Sequence, residues 1–359
     1  SGKLYAAYGN GWGDGDIWVC DPATAGDVSL CDDATDWTKY IDTGPNYSIA
    51  WRFVSFNSEL YVGLEGPTDG GGDLMILDGS NTAYDPGATI ERMQSLETFN
   101  SKLYATAGTT AGDGDIFICS PATAGDANKC DSAFDWATSY DASQESFESL
   151  YALGGTLYAG QGNGWGDGDL YACNPAGGGV ATDCDNAADW SVAWNQGGYG
   201  ILDMTTYNSK LLFASSQSAS SDFISPTVNL LDGLLSRDVS TYESVYSFET
   251  FQNHLYAGYG LDNTDGDIDV CTPGSDDDCD SGDWASSYSD AARDRVEDMV
   301  VYKSKLYAAF SGSTGDADIF VCNPATAGTS DVCDNALDWT QSFEDSASFS
   351  SIYMMSVFN

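Results

Sequence analysis

Basic residues are scarce in this chain: 12 Lys and Arg stand against 55 Asp and Glu, a formal net charge of −43. Phosphate backbones are held by clustered Lys and Arg, so nucleic acid is excluded as a partner. An anionic membrane surface is disfavoured on the same ground. The chain holds one histidine, His254. A histidine-rich metal site is therefore impossible, and the place of His254 between strands A and B of its repeat argues against a Ser-His-Asp arrangement. Long apolar runs are missing too: none approaches the roughly 18 residues of a membrane-spanning helix, so no direct membrane insertion is expected. Near Ser1 no basic stretch leads into an apolar one, so no signal peptide is expected and Ser1 reads as the start of a mature or trimmed chain.

What the chain has is repetition. Leu-Tyr or a close variant follows a turn at Leu4-Tyr5, Leu60-Tyr61, Leu103-Tyr104, Leu157-Tyr158, Leu211-Leu212, Leu255-Tyr256 and Leu306-Tyr307. The spacings are 56, 43, 54, 54, 44 and 51 residues, so seven units of about fifty residues fill the chain. The last residues, Phe358-Asn359, read into Ser1-Gly2-Lys3-Leu4-Tyr5, nearly restore the internal phrase Phe99-Asn100-Ser101-Lys102-Leu103-Tyr104. One repeat is thus split between the two ends, which implies a closed ring. A repeat array folds as one body, so residues 1–359 are expected to form a single domain.

The third repeat shows the grammar. Met93 to Phe99 alternates roughly with period two (strand A), Asn100-Ser101 is turn chemistry, and Leu103 to Ala107 is strand B. A glycine-rich loop leads to strand C, Asp115 to Cys119, β-branched and aromatic. The Cys loop follows, then strand D from Asp135-Trp136 to about Tyr140. Forty glycines fit a chain of turns rather than helices. The expected fold is all-β: a seven-bladed β-propeller of four-stranded antiparallel blades, the first and last strands sharing one blade. The phrase Phe99-Asn100-Ser101-Lys102-Leu103-Tyr104-Ala105 resembles the broad group of secreted and surface β-propellers with kelch-like or sialidase-like repeats. The sialidase Asp-box and the kelch double glycine are absent.

Ten cysteines fall into five local pairs, Cys20/Cys31, Cys119/Cys130, Cys173/Cys184, Cys271/Cys279 and Cys322/Cys333, each at the same place in its repeat. Two cysteines per repeat are too few for tetrahedral zinc, so disulfides and an extracellular or cell-surface location are expected. The second and fifth repeats carry no pair. In the other five, Asp follows the second cysteine directly and Trp comes five or six residues after it.

Strand C is preceded by an acidic loop with Asp14/Asp16, Asp113/Asp115, Asp167/Asp169 or Asp265/Asp267. These carboxylates suit Ca²⁺, a hard cation with oxygen ligands, or simply cap the turn into the strand. The rest of the acidity reads as a solubilising coat. Two identical loops place Asn10-Gly11-Trp12 and Asn163-Gly164-Trp165 among glycines. Such tryptophans stack on sugar rings or fold back over their own blade. Arg92 and Arg295 stand at the start of a strand A, on the face of the acidic loops, as ligand-binding residues or as partners of the many acids. These residues together imply a binding or adhesion module for a glycan or a surface protein. A subunit of a surface filament or layer, and a polysaccharide-active hydrolase or lyase, are the alternatives.

Overall fold

The computed structural model describes the chain except for residues 1, 10–14, 23–28, 67–70, 78–80, 86–89, 109–113, 122–124, 143–145, 163–167, 176, 196–198, 217–220, 227–232, 240–243, 261–265, 275–278, 281, 313–316, 325, 345–350 and 359. Among the described residues the regular structure is β-strand plus five short 3-10 turns, with no α-helix. No helix is long and apolar enough to cross a membrane.

Each repeat supplies four strands in the expected order. In the third they are Arg92–Phe99, Lys102–Gly108, Gly114–Cys119 and Trp136–Ala142, each antiparallel to the next. The split repeat is joined as the sequence implies: Ser351–Phe358 pairs antiparallel with Lys3–Gly9, Lys3 opposite Phe358. The fifth repeat, mostly polar from Ala214 to Ser225, also forms a four-stranded sheet.

The A–B turns explain the recurring Asn-Ser. Asn57-Ser58, Asn100-Ser101, Asn208-Ser209, Gln252-Asn253 and Lys303-Ser304 all have positive φ, between 46° and 68°. Two left-handed residues in a two-residue loop make the hairpin turn whose twist matches the strands. Gly154-Gly155 does the same without a side chain. His254 is the first residue of its strand B, just past the turn.

The chain divides into two compact units: residues 1–10, 16–42 and 203–359, and residues 11–15 and 43–202. Within each, neighbouring repeats are latched by the residues that define the phrase. In the second unit the Cys130 N–H donates to the Tyr61 hydroxyl (2.9 Å) and the Cys184 N–H to that of Tyr104 (2.9 Å). In the first, Cys333 donates to Tyr256 (2.9 Å) and Cys31 to Tyr307 (3.1 Å). So the tyrosine of one repeat grips the disulfide loop of the next. Burial pushes these phenols up, Tyr61 to about 12, so they remain neutral hydroxyls.

All five disulfides form as paired above. One of the five differs from the rest, at Cys279. The Cys271–Cys279 bridge spans 8 residues where the other four span 11. The repeat before it carries Leu212 where the others carry Tyr. Cys279 also keeps 7% of its surface exposed, whereas Cys31, Cys130, Cys184 and Cys333 keep none. The shorter loop and the Leu in place of Tyr set this joint apart from the other four.

The Asp after the second cysteine also finds its reason. Asp131, Asp185 and Asp334 each accept from a loop N–H five residues back, next to a glycine with φ of 55–68°. The Trp closes the joint: Trp190 Nε1 donates to Ser139 Oγ (2.9 Å), and Ser139 Oγ donates to the Cys184 carbonyl (2.5 Å). Trp339 with Ser287, and Trp37 with Ser342, repeat this. Strand D opens at the Trp, one residue later than expected; the preceding Asp135 belongs to the 3-10 turn Ala133–Asp135.

Candidate binding face on the strand A bulges

Strand A breaks its alternation at a fixed place. In each of the six repeats whose A–B pairing is described, strands A and B slip by one residue, leaving a bulged residue. It is Trp51, Gln94 or Glu148 in the second unit, and Tyr246, Glu297 or Tyr353 in the first. An apolar residue precedes each bulge and is fully buried: Ala50, Met93, Phe147, Val245, Val296 and Ile352. A bulge re-aims side chains and is favoured next to binding sites.

The residue after the bulge does structural work. Ser95 Oγ accepts from the Leu150 N–H (2.9 Å) and Asp298 Oδ2 from Met355 (2.6 Å), and on strand A of the fifth repeat Asp203 Oδ2 accepts from Phe248 (2.9 Å). Each bond covers a backbone donor on the next strand A, which would otherwise be an open edge. Glu97 and Glu249 take the same kind of bond from Ala152 and Val301. Burial raises both carboxyls, Glu249 to about 7.

Two arginines join this row, each over a bulge aromatic. Arg295 lies over the Tyr246 ring, 5.1 Å from its centroid. Its Nε meets Glu297 Oε1 at 2.8 Å and Ser311 Oγ at 3.1 Å, and Nη1 reaches the Tyr246 hydroxyl at 3.3 Å. The Glu297 charge, opposed by burial, raises the guanidinium pKa further. Arg92 lies over the Trp51 ring at 5.8 Å. Trp51 Nε1 donates to Glu65 Oε2 at 2.8 Å, and burial raises the Glu65 carboxyl against the pull of Trp51 and Arg92. Gln94 donates through Nε2 to Glu148 Oε2, while Ser146 donates to Glu148 Oε1 (3.0 Å).

Of the acidic-loop residues, Asp16 is fully buried and pairs with Lys39 Nζ at 2.5 Å. Asp169, also buried, accepts from Asn195 Nδ2 at 3.2 Å. Asp115 and Asp267 are half-buried at the second position of their strands C. Among the described residues no three His, Cys, Asp or Glu side chains group as metal ligands. Asn10, Trp12, Asp14, Asp113, Asn163, Trp165, Asp167 and Asp265 lie outside the described residues. The structure thus sets Arg92 and Arg295 among bulge residues that sequence reading did not single out.

No family of known sequences matches the chain, and no curated protein does. Solved structures do. Dihydro-heme d1 dehydrogenase NirN in complex with DHE is 10% identical with a TM-score of 0.52, covering 94% of this chain and 63% of that one. The computationally designed Ika8 protein is 12% identical with a TM-score of 0.51, covering 96% and 91%. A nidogen/laminin complex structure is 11% identical with a TM-score of 0.46, covering 76% and 89%. The likeness is to propellers. At these identities it bears on fold alone.

Proposed function

We propose that the chain is an extracellular or cell-surface binding module, a single seven-bladed propeller that engages glycans. The seven repeats, the join of Ser351–Phe358 to Lys3–Gly9 and the propeller likeness support the ring. Five disulfides support an oxidising compartment.

The observation that carries the binding reading is the bulge row. One structural position, repeated along the strands A, holds Trp, Gln, Glu or Tyr rather than one constant packing residue, and two of its aromatics carry a stacked arginine. Structural repeats vary where they bind and keep constant where they pack. Trp12 and Trp165, each set among glycines in the sequence, add candidate sugar-stacking rings to this reading, and the acidic loops with Asp14, Asp16, Asp113, Asp115, Asp167, Asp169, Asp265 and Asp267 add a candidate Ca²⁺ site.

A glycan array probed with and without EDTA tests both parts. Expected is retention of a defined glycan set, weakened by EDTA and by a Trp12→Ala, Trp165→Ala double variant. Absence of retention from every glycan would refute the glycan reading and leave a protein-adhesion or lattice role. EDTA-insensitive binding would refute the Ca²⁺ part alone.

A further inference from the structure

Arg92 and Arg295 occupy the same position, the first residue of a strand A, and each lies over the bulge aromatic of the preceding repeat. Every group that pairs with or accepts a hydrogen bond from the Arg295 guanidinium is changed at Arg92. Glu297 is replaced by Gln94, the bulge residue two positions on. Ser311, opposite Arg295 in the pairing, is replaced by Gly108, opposite Arg92. Tyr246, whose hydroxyl accepts from Arg295, is replaced by Trp51, which has no acceptor and turns its own N–H to Glu65.

Three replacements in one direction leave Arg92 Nε without the acceptor that Arg295 Nε has in Ser311. Among the described residues none accepts a hydrogen bond from Arg92 Nε, which is shielded from solvent. The residue as a whole is only half-buried. Its charge is not left unanswered: Glu65 lies opposite Arg92 in the strand pairing, and Arg92 pulls down a carboxyl that burial, the larger effect, raises. So the charge is balanced and the hydrogen bonds are not. A ligand that completes such a site brings neutral oxygen acceptors. A ligand carboxylate would add an uncompensated negative charge beside Glu65, in a chain of net charge −43.

We propose that Arg92, braced on Trp51, donates to the hydroxyl oxygens of a neutral sugar, whereas Arg295 is a structural strut. This rests on the glycan reading above and narrows it to uncharged saccharides. Hydroxyls accept from the planar guanidinium fork, and Trp51 beside it offers apolar surface to a sugar ring.

The test is titration calorimetry with neutral oligosaccharides of glucose, mannose and galactose, and with oligogalacturonate. The wild type is compared with Arg92→Met, which keeps the stem over Trp51, and Arg92→Lys, which keeps the charge and loses the fork. Melting curves confirm that both variants fold. Expected is binding of at least one neutral oligosaccharide, weakened at least tenfold in both variants, with no binding of oligogalacturonate. Tighter binding of oligogalacturonate, or neutral binding untouched by Arg92→Met, would overturn the proposal and leave the glycan reading standing. Full rescue by Arg92→Lys would overturn it too, because a point charge would then suffice. If none of the oligosaccharides binds, the proposal falls, and the glycan array decides separately whether the glycan reading stands.

Discussion

At the residue scale, the tyrosine of the Leu-Tyr phrase is the most informative side chain. Its hydroxyl is the acceptor for a buried N–H in the next repeat, so Tyr104→Phe leaves the Cys184 N–H unpaired. The expected cost is about 1–3 kcal/mol by equilibrium denaturation. Tyr158 precedes the unstapled fifth repeat and is only half-buried, so Tyr158→Phe should cost much less. Equal losses at the two positions would contradict the latch. Glu249 gives a second prediction. Its folded carboxyl is raised from 4.5 to about 7, first by burial and then by Asp203, against the Thr250 and Val301 N–H bonds. The folded protein binds this proton more tightly than the unfolded chain, so its contribution to stability is complete below about 4.5 and lost as pH rises towards 7. Melting temperature should fall across that window, and Glu249→Gln should flatten the fall.

At the scale of the element, the strands were legible because each repeat spells them with β-branched and aromatic residues between turn residues. The bulge was not. Alternation predicts apolar residues two apart, yet strand A places them three apart: Met93 and Leu96, Phe147 and Leu150, Val245 and Phe248, Val296 and Met299. That spacing carried the signal, but three apart also suits a helix and means a bulge only once the strand is known. The Asp-Trp and Cys-Asp pairs were visible as patterns, but their reasons are contacts with backbone N–H groups and with the preceding repeat, which no local reading supplies. Cys279 shows the same limit: its pairing was legible, while its different joint depends on Leu212 in the repeat before. Two measurements belong here. Ser101 holds φ of 62°, a conformation that glycine adopts freely, so Ser101→Gly should stabilise the hairpin by about 0.5–1 kcal/mol. Replacing Cys119 and Cys130 by serine should cost about 2–4 kcal/mol, and a neutral effect would contradict the part given to the stapled loop in joining repeats.

For the whole molecule, the split repeat argues for closure, and the Lys3–Phe358 pairing places the join between strands A and B. Deleting the last ten residues removes strand Ser351–Phe358 and opens the edge of Lys3–Gly9, so the truncated chain should unfold or oligomerise; an unchanged melting temperature would contradict closure. The net charge of −43 keeps anionic partners away and leaves a local site to supply specificity. The central claim is that the strand A bulges are where this protein binds. Hydrogen-exchange mass spectrometry of the full chain, with and without a saturating neutral oligosaccharide found by the array, tests it most directly. Slowed exchange in peptides covering Trp51 and Arg92–Gln94 is the predicted result. Protection confined to other segments, with these peptides unchanged, would contradict it.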